Sequence, residues 1–309
     1  MSHAPQATTS APGDMKTIEI CWQASMSASC LHAAEGLCRR RTVVDQAFAE
    51  ALTEPTAQLA AAIKALELPA ARFWRHVTAL CAGIDNNQQL AEIALRKTIG
   101  MGDRAKAAIP RVALAITELE NAGRAAAPKL LEELALRGEP LKMQWDARGR
   151  GLLRRVAQIT DERLMVERTE VVLVHPTFGG GGAAHLPYNT VRIEALLANA
   201  NDALPEMVRL GWYIAQLNLN LPMFSEQVPA DRLPHVAALA MLPPVLTAAE
   251  HVELARCDAD TLQSALDAWD VRVPQDLDMT ATLLDWWDTF TDSRPAWSTA
   301  LVALDRMIG

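Results

Sequence analysis

The stretch VVLVHPTFGGGGAAHLPYNTVRIEALLAN, residues 171–199, decides the fold class because it interrupts an otherwise helical pattern. Two runs rich in β-branched residues, 171–174 and 191–193, flank four consecutive glycines. A further apolar run, 164–166, precedes them. Since β-branched side chains fit a pleated surface better than a helix, we expect short strands near residues 164–198 that form a small sheet.

Residues 42–160 are rich in Ala, Leu, Glu, Lys and Arg, which lose little rotamer freedom in a helix. Val112, Ile116 and Leu119 are spaced to occupy one helical face. Breaks are predicted at Pro55, at Pro69 and at the sequences GIDNNQQ, GMGD, NAG and RGEP. Short connections between helices of ten to twenty residues are typical of an antiparallel helical array.

Helix returns after the glycines in LPEMVRLGWYIAQLNLNL, with Pro205 in its first turn and Asp202 as a possible cap. More helical segments follow to the C-terminus. The predicted fold is therefore mainly α with a small β-sheet (α+β). We expect a disordered tail at 1–14, a helical region at 15–160, and a sheet with helices at 161–309. The last two regions could equally form one continuous domain.

The composition excludes several classes of protein. A net charge of -8 provides no general attraction to nucleic acid. The polar beginning has no apolar core of a secretory signal, and no run approaches eighteen uninterrupted apolar residues, so we expect no membrane span. Five cysteines are an odd number for a disulfide framework, which favours reduced thiols in the cytoplasm.

Three of the cysteines, Cys21, Cys30 and Cys38, cluster with a histidine in CWQASMSASCLHAAEGLC. Structural zinc sites commonly use closely spaced C-x2-4-C pairs, whereas these cysteines are separated by eight and seven residues. Buried thiols that behave as small apolar side chains are the better interpretation of this cluster.

The glycine-rich loop is the main candidate for a ligand site. Glycines after a strand can cradle a phosphate, but Ala183, Ala184 and His185 stand where a Walker motif needs Lys and Ser or Thr, and the dinucleotide pattern also fails. A turn or mobile flap that joins two strands is the simpler interpretation. The ligand-loop candidates are His175, Gly179, Gly180, Gly181, Gly182, His185, Asn189 and Glu194.

Two other groups of residues qualify as candidates. Arginine forks suit carboxylates and phosphates, and anion-binding candidates are Arg148, Arg150, Arg154 and Arg155, with a second basic knot at 39–41. A solvated helix face paired with acids explains such a run equally well. Tryptophans supply large buried area at cores and interfaces, and the interface candidates are Trp286, Trp287 and Trp297.

Two functional hypotheses follow. The first is an intracellular, non-catalytic binding or scaffold protein that acts through its C-terminal half, with a protein partner or self-association, no nucleic acid, no membrane and no cofactor. The second is a metal-dependent or acid/base hydrolase, in which His175 and His185 bind a divalent metal or, with Glu194, move protons. The second requires these side chains to converge.

Overall fold

The computed structural model describes residues 18–274 and 276–309. The predicted tail at 1–14 lies outside the described residues. The fold class is confirmed, because most described residues are helical and a small mixed sheet accompanies them. The strands are β1 (Glu19–Ala24), β2 (Arg168–Val174), β3 (Gly182–His185) and β4 (Thr190–Glu194).

The helices of the first half form an array. They are α1 (Met26–Cys38), α2 (Gln46–Ala65), α3 (Ala70–Leu80), α4 (Asn87–Ile99), α5 (Asp103–Ala126), α6 (Leu130–Gln144) and α7 (Arg150–Ile159). Those after the sheet are α8 (Glu206–Gln216), α9 (Pro222–Ser225), α10 (Leu233–Ala240), α11 (Leu242–His251), α12 (Ala259–Ala268), α13 (Met279–Ser293) and α14 (Trp297–Met307).

The sheet has the order β1-β2-β4-β3. β1 pairs in parallel with β2, and β2 pairs in parallel with β4, whereas β3 is an antiparallel edge strand on β4. Every residue of β4 is buried, as expected for a strand inside a mixed sheet. β1 precedes the helical array in the chain but pairs with β2 after it, so the predicted helical region contributes a strand to the sheet.

One predicted strand is absent. Residues 162–164 form a short 3-10 helix, which begins where the Asp161 carboxylate accepts a hydrogen bond from the Arg163 N–H. Leu164, Met165 and Val166 are buried, so this apolar run is core filling before β2 rather than a strand.

Three predicted helix breaks are also wrong. Pro55 lies inside α2, Pro140 lies inside α6, and the sequence NAG at 121–123 lies inside α5. Proline removes one helical hydrogen bond, but Leu52 and Leu59 on either side of Pro55 are fully buried, and their packing holds the helix together. After Pro140, α6 continues into a π turn at Trp145–Gly149 and then into α7.

The core positions the helices around the sheet. α5 packs against α2 and α4, α1 lies against β2 and α2, and α8 contacts both β3 and β4. Buried apolar side chains from both halves of the chain form one connected cluster. α1 is therefore an interior helix, and the two polar side chains in its middle, His32 and Glu35, are buried with it.

One stretch, Leu233–His251, is long and apolar enough to cross a membrane by length and composition, and 72% of its window is buried inside the described protein. A buried core helix meets the same two criteria, so this stretch is weak evidence for a membrane span.

Candidate functional site

A cavity of about 270 Å³ opens beside the edge strand β3. Its walls come from α1 and the turn after it, from α3, from β3 and β4, and from the residues at the start of α10 and the end of α12. The ionisable or polar lining residues are His32, Glu35, Arg39, Arg41, Arg75, Thr78, His185, Arg192 and Asp270. The small or apolar ones are Gly36, Ala71, Gly181, Gly182, Ala183, Ala184, Pro234 and Trp269.

The Glu194 carboxylate, at the end of β4, organises the glycine-rich loop. Its Oε1 accepts the Phe178 N–H at 2.9 Å, and its Oε2 accepts the Gly180 N–H at 2.6 Å. The Glu194 N–H in turn donates to the Gly181 carbonyl oxygen at 2.9 Å. This fully buried side chain therefore supports the turn that the glycines form.

Three glycines in this loop are required by geometry. Gly179 and Gly180 have φ values of 71° and 138°, which side chains adopt only with strain. A Cβ at Gly182 would lie 2.4 Å from the Arg192 carbonyl oxygen. Gly182 also begins β3, so the four glycines end in a strand that the sequence pattern did not reveal.

His32 connects Glu194 to the cavity. The His32 Nε2 lies 2.9 Å from Glu194 Oε1. Burial raises the pKa of Glu194, but the hydrogen bonds from His32 and from two backbone N–H groups outweigh it and lower that pKa. Burial and the nearby Arg192 guanidinium lower the pKa of His32. Since an ionised carboxylate only accepts hydrogen bonds, the neutral His32 ring carries its proton on Nε2.

Arg192 from β4 and Glu35 from α1 form a buried ion pair in the cavity wall. The Arg192 Nη2 lies 2.8 Å from Glu35 Oε2, and the Arg39 Nη2 lies 2.7 Å from Glu35 Oε1. Burial raises the pKa of Glu35, but the two guanidiniums outweigh it and bring the pKa down to about 2. The Nε and Nη1 atoms of Arg192 have no hydrogen-bond partner within the described part of the chain. The Glu35 carboxylate is therefore shared by Arg39 and Arg192.

Two further arginines complete the positive wall. The Arg41 Nε lies 3.3 Å from the Asp270 carboxylate, and its guanidinium also donates to the Gly180 carbonyl oxygen and stacks over the Phe178 ring. Arg75, on α3, has neither an ion-pair nor a hydrogen-bond partner among the residues that the structure describes. The wall therefore carries four arginines against two carboxylates.

His185 stands at the end of β3 on the same wall. Burial and the Arg192 guanidinium lower its pKa to about 3, so the ring is neutral at physiological pH. Its Nε2 atom is buried without a hydrogen-bond partner in residues 18–274 and 276–309. A buried polar atom of this kind costs free energy unless water, an ion or a ligand satisfies it.

The structure does not bring His175 to this cavity. His175 lines a second cavity of about 290 Å³, where its Nε2 lies 3.3 Å from Asp45 Oδ2 and its ring stacks on Phe48. Its Nδ1 lies 3.2 Å from the Thr177 hydroxyl. The order Thr, His, Asp is that of a catalytic triad, but Thr177 is 0% exposed and no substrate reaches its hydroxyl.

The convergence required by the hydrolase hypothesis is therefore absent in the described structure. His175 and His185 line different cavities, and Glu194 contacts His32 rather than either of them. Asn189 lies in the turn before β4 and donates to the Arg168 carbonyl oxygen. The described residues contain no group of three or more His, Cys, Asp or Glu side chains that could hold a metal ion. A metal at His175 and His185 remains a prediction.

Of the three clustered cysteines, Cys30 is buried as predicted, whereas Cys21 is half-buried and Cys38 is exposed. All five are free thiols. Burial raises the pKa values of Cys30 and Cys81 to about 12, which leaves both thiols protonated and unreactive.

The basic run on the π turn and α7 lies away from the cavity lining. Arg148 donates to the carbonyl oxygens of Val252 and Glu253, and Arg155 contacts the His251 ring. These two arginines therefore form hydrogen bonds at the C-terminal end of α11. Arg150 and Arg154 are exposed side chains on α7.

The three tryptophans are core side chains. Trp286, Trp287 and Trp297 are 4%, 4% and 3% exposed, and their rings contact one another and Phe290. Trp286 Nε1 donates to the Ala300 carbonyl oxygen and Trp287 Nε1 to the Thr247 hydroxyl. Because these rings are buried within the chain, they offer no exposed apolar patch, and the interface hypothesis is weakened.

Sequence reasoning found His185 and two of the glycines in the cavity wall, and Glu194 behind it, but it missed His32, Glu35, Arg75 and Arg192. A signal for some of them exists. His32 and Glu35 are three residues apart in an otherwise apolar helix, and Arg192 is a charge inside a β-branched strand. Comparison with known proteins adds no assignment: no family model matches the chain, and no curated protein or solved structure is significantly similar to it.

Proposed function

We propose that this protein binds a small anionic molecule in the cavity beside β3. The observation that carries the proposal is the excess of arginine over carboxylate on the cavity wall, and above all the unpaired guanidinium of Arg75. Guanidinium groups match carboxylate and phosphate oxygens bidentately. The proposal keeps the predicted binding function but moves its site from the tryptophan-rich end to the edge of the sheet.

The partial enclosure of the cavity favours such a ligand. Charges interact more strongly in a partly enclosed site than in bulk water. Arg41 and Arg192 are held by contacts with the glycine loop and Glu35, so two of the guanidiniums are ordered before a ligand arrives. Pre-ordered groups reduce the entropy lost on binding.

Binding is favoured over hydrolysis as the function. Glu194 already accepts three hydrogen bonds and is fully buried, which removes it as a free general base. Thr177 is equally inaccessible beside His175. A function that needs charge and shape, but no free nucleophile, agrees best with these contacts.

Titration calorimetry at low salt with phosphate, sulfate and short carboxylates tests the proposal. Arg75→Gln removes an unpaired charge without breaking an ion pair, so we expect a folded protein with roughly ten- to hundredfold weaker binding, the range of a lost charge-assisted hydrogen bond. Arg150→Gln on α7 is the matched control and should bind as the unaltered protein does. No heat of binding with any anion, or equal loss in both variants, would overturn the proposal.

A further inference from the structure

The charges around the cavity identify the class of anion. Glu35 is shared by Arg39 and Arg192, and Asp270 faces Arg41 alone. Arg75 has no carboxylate among the described residues. Four guanidiniums against two carboxylates leave a positive excess of two on the wall.

Of the described groups behind the wall, only the Glu194 carboxylate opposes this excess, and it does not line the cavity. His32 and His185 are neutral, because burial and Arg192 lower the pKa values of both rings. The Glu194 carboxylate lies behind His32, where the His32 ring and the N–H groups of Phe178 and Gly180 all donate to it. Farther along the loop, Arg209 is paired with Glu206.

The size and the remaining lining restrict the ligand further. A volume of about 270 Å³ lies just below the range of roughly 300–1,000 Å³ typical of pockets for drug-sized ligands. Ala71, Pro234 and Trp269 supply an apolar part of the lining. A small molecule with a short apolar body therefore suits the cavity better than a dinucleotide.

We infer that the ligand is a small dianion, in which two negative charges match the two uncompensated guanidiniums. This inference rests on the proposed function and adds the charge of the ligand to it. A phosphate monoester and a short dicarboxylate share this chemistry, and each has a near-isosteric monoanion with which it can be compared.

Calorimetry with the full-length protein at pH 8 and low salt tests the inference with two matched pairs. Phenyl phosphate is compared with phenyl sulfate, and succinate is compared with butyrate. In at least one pair we expect the dianion to bind about tenfold or more tightly than its monoanion, which corresponds to about 1.4 kcal/mol. The pair that shows the preference identifies phosphate or carboxylate as the anionic group.

Arg75→Gln should reduce that preference, whereas Arg150→Gln should preserve it. Equal affinities within both pairs would overturn the dianion inference while leaving anion binding in place. Absence of binding by all four probes and by the anions tested above would overturn both. A preference that Arg75→Gln leaves unchanged would also contradict the inference, because the extra charge would then be recognised elsewhere.

Discussion

The glycine-rich loop and the tryptophan cluster are the two most unusual stretches of this sequence, and the structure buries the tryptophan rings but leaves most of the glycines half-buried. At the tryptophan cluster, rings fill space against rings, and the Trp286 and Trp287 N–H groups have acceptors. Beside the glycine loop, a cavity remains and its arginines outnumber its carboxylates. Burial alone therefore does not mark a site, whereas uncompensated charge next to open space does.

The largest expected effect separates core from site. Trp286→Ala should lower the free energy of unfolding by about 3–5 kcal/mol, because it empties a large buried volume. Urea denaturation measures this loss. Leu136→Ala is the control, since that side chain is 72% exposed and should change stability by no more than about 0.5 kcal/mol. The anion affinity of folded Trp286→Ala protein should be unchanged. A marked loss of affinity would show that the tryptophan cluster affects the anion site.

The second prediction concerns the residue that orders the loop. Glu194→Gln should cost about 2–3 kcal/mol, because an amide cannot accept the hydrogen bonds of three buried donors as a carboxylate does. It should also weaken anion binding, since Gly181 and Gly182 in the cavity wall lose their support. Glu170→Gln, on the exposed side of β2, is the matched control. Similar urea midpoints for the two variants would contradict the assigned role.

A pair of helical glycines tests how closely the loop packs. A Cβ at Gly36 would lie 2.1 Å from the Phe178 ring, so Gly36→Ala should destabilise the protein by about 1–3 kcal/mol. Gly151, in α7, has open space around it, and Gly151→Ala should stabilise by about 0.5–1 kcal/mol. Thermal melting distinguishes destabilisation from stabilisation. If both substitutions stabilise the protein, the loop can shift to accommodate a Cβ at Gly36.

The last prediction concerns the dependence of stability on pH. The folded-state pKa of His185 is about 3, below the ordinary value of 6.5, so the unfolded chain binds the extra proton first as pH falls. Stability contributed by the neutral ring is present above pH 6.5 and decreases toward pH 3, by up to about 1.4 kcal/mol per pH unit.

Unfolding measured from pH 7 to pH 4 checks this dependence. His185→Gln should reduce the dependence of the unfolding free energy on pH by the equivalent of up to one bound proton. The control is His251→Gln, whose ring is exposed. If the pH dependence of stability is unchanged in His185→Gln, that ring lies in water rather than in the positive wall. The cavity and the apolar tryptophan cluster would then differ in one property fewer.

Local sequence was sufficient for the elements whose pattern is regular and long. The α+β class, the helices and the strands β2 and β4 follow from apolar periodicity and β-branched runs, because these reflect the face that each element buries. β1 was missed because its residues alternate weakly and its partner β2 lies more than a hundred residues later. β3 was missed because glycine and alanine carry little strand preference.

Composition and periodicity therefore define a helical protein with a small sheet, one conspicuous loop and free thiols. Which charges meet depends on the three-dimensional packing. His32 and Glu194 are 162 positions apart, and Arg192 and Glu35 are 157 apart, yet each pair is in direct contact. The strand order brings β4 against α1 and sets β3 at the edge, and long-range packing of this kind leaves no periodic trace in the sequence. The physical reason is that periodicity records burial, whereas a binding site depends on which buried charges lack a partner.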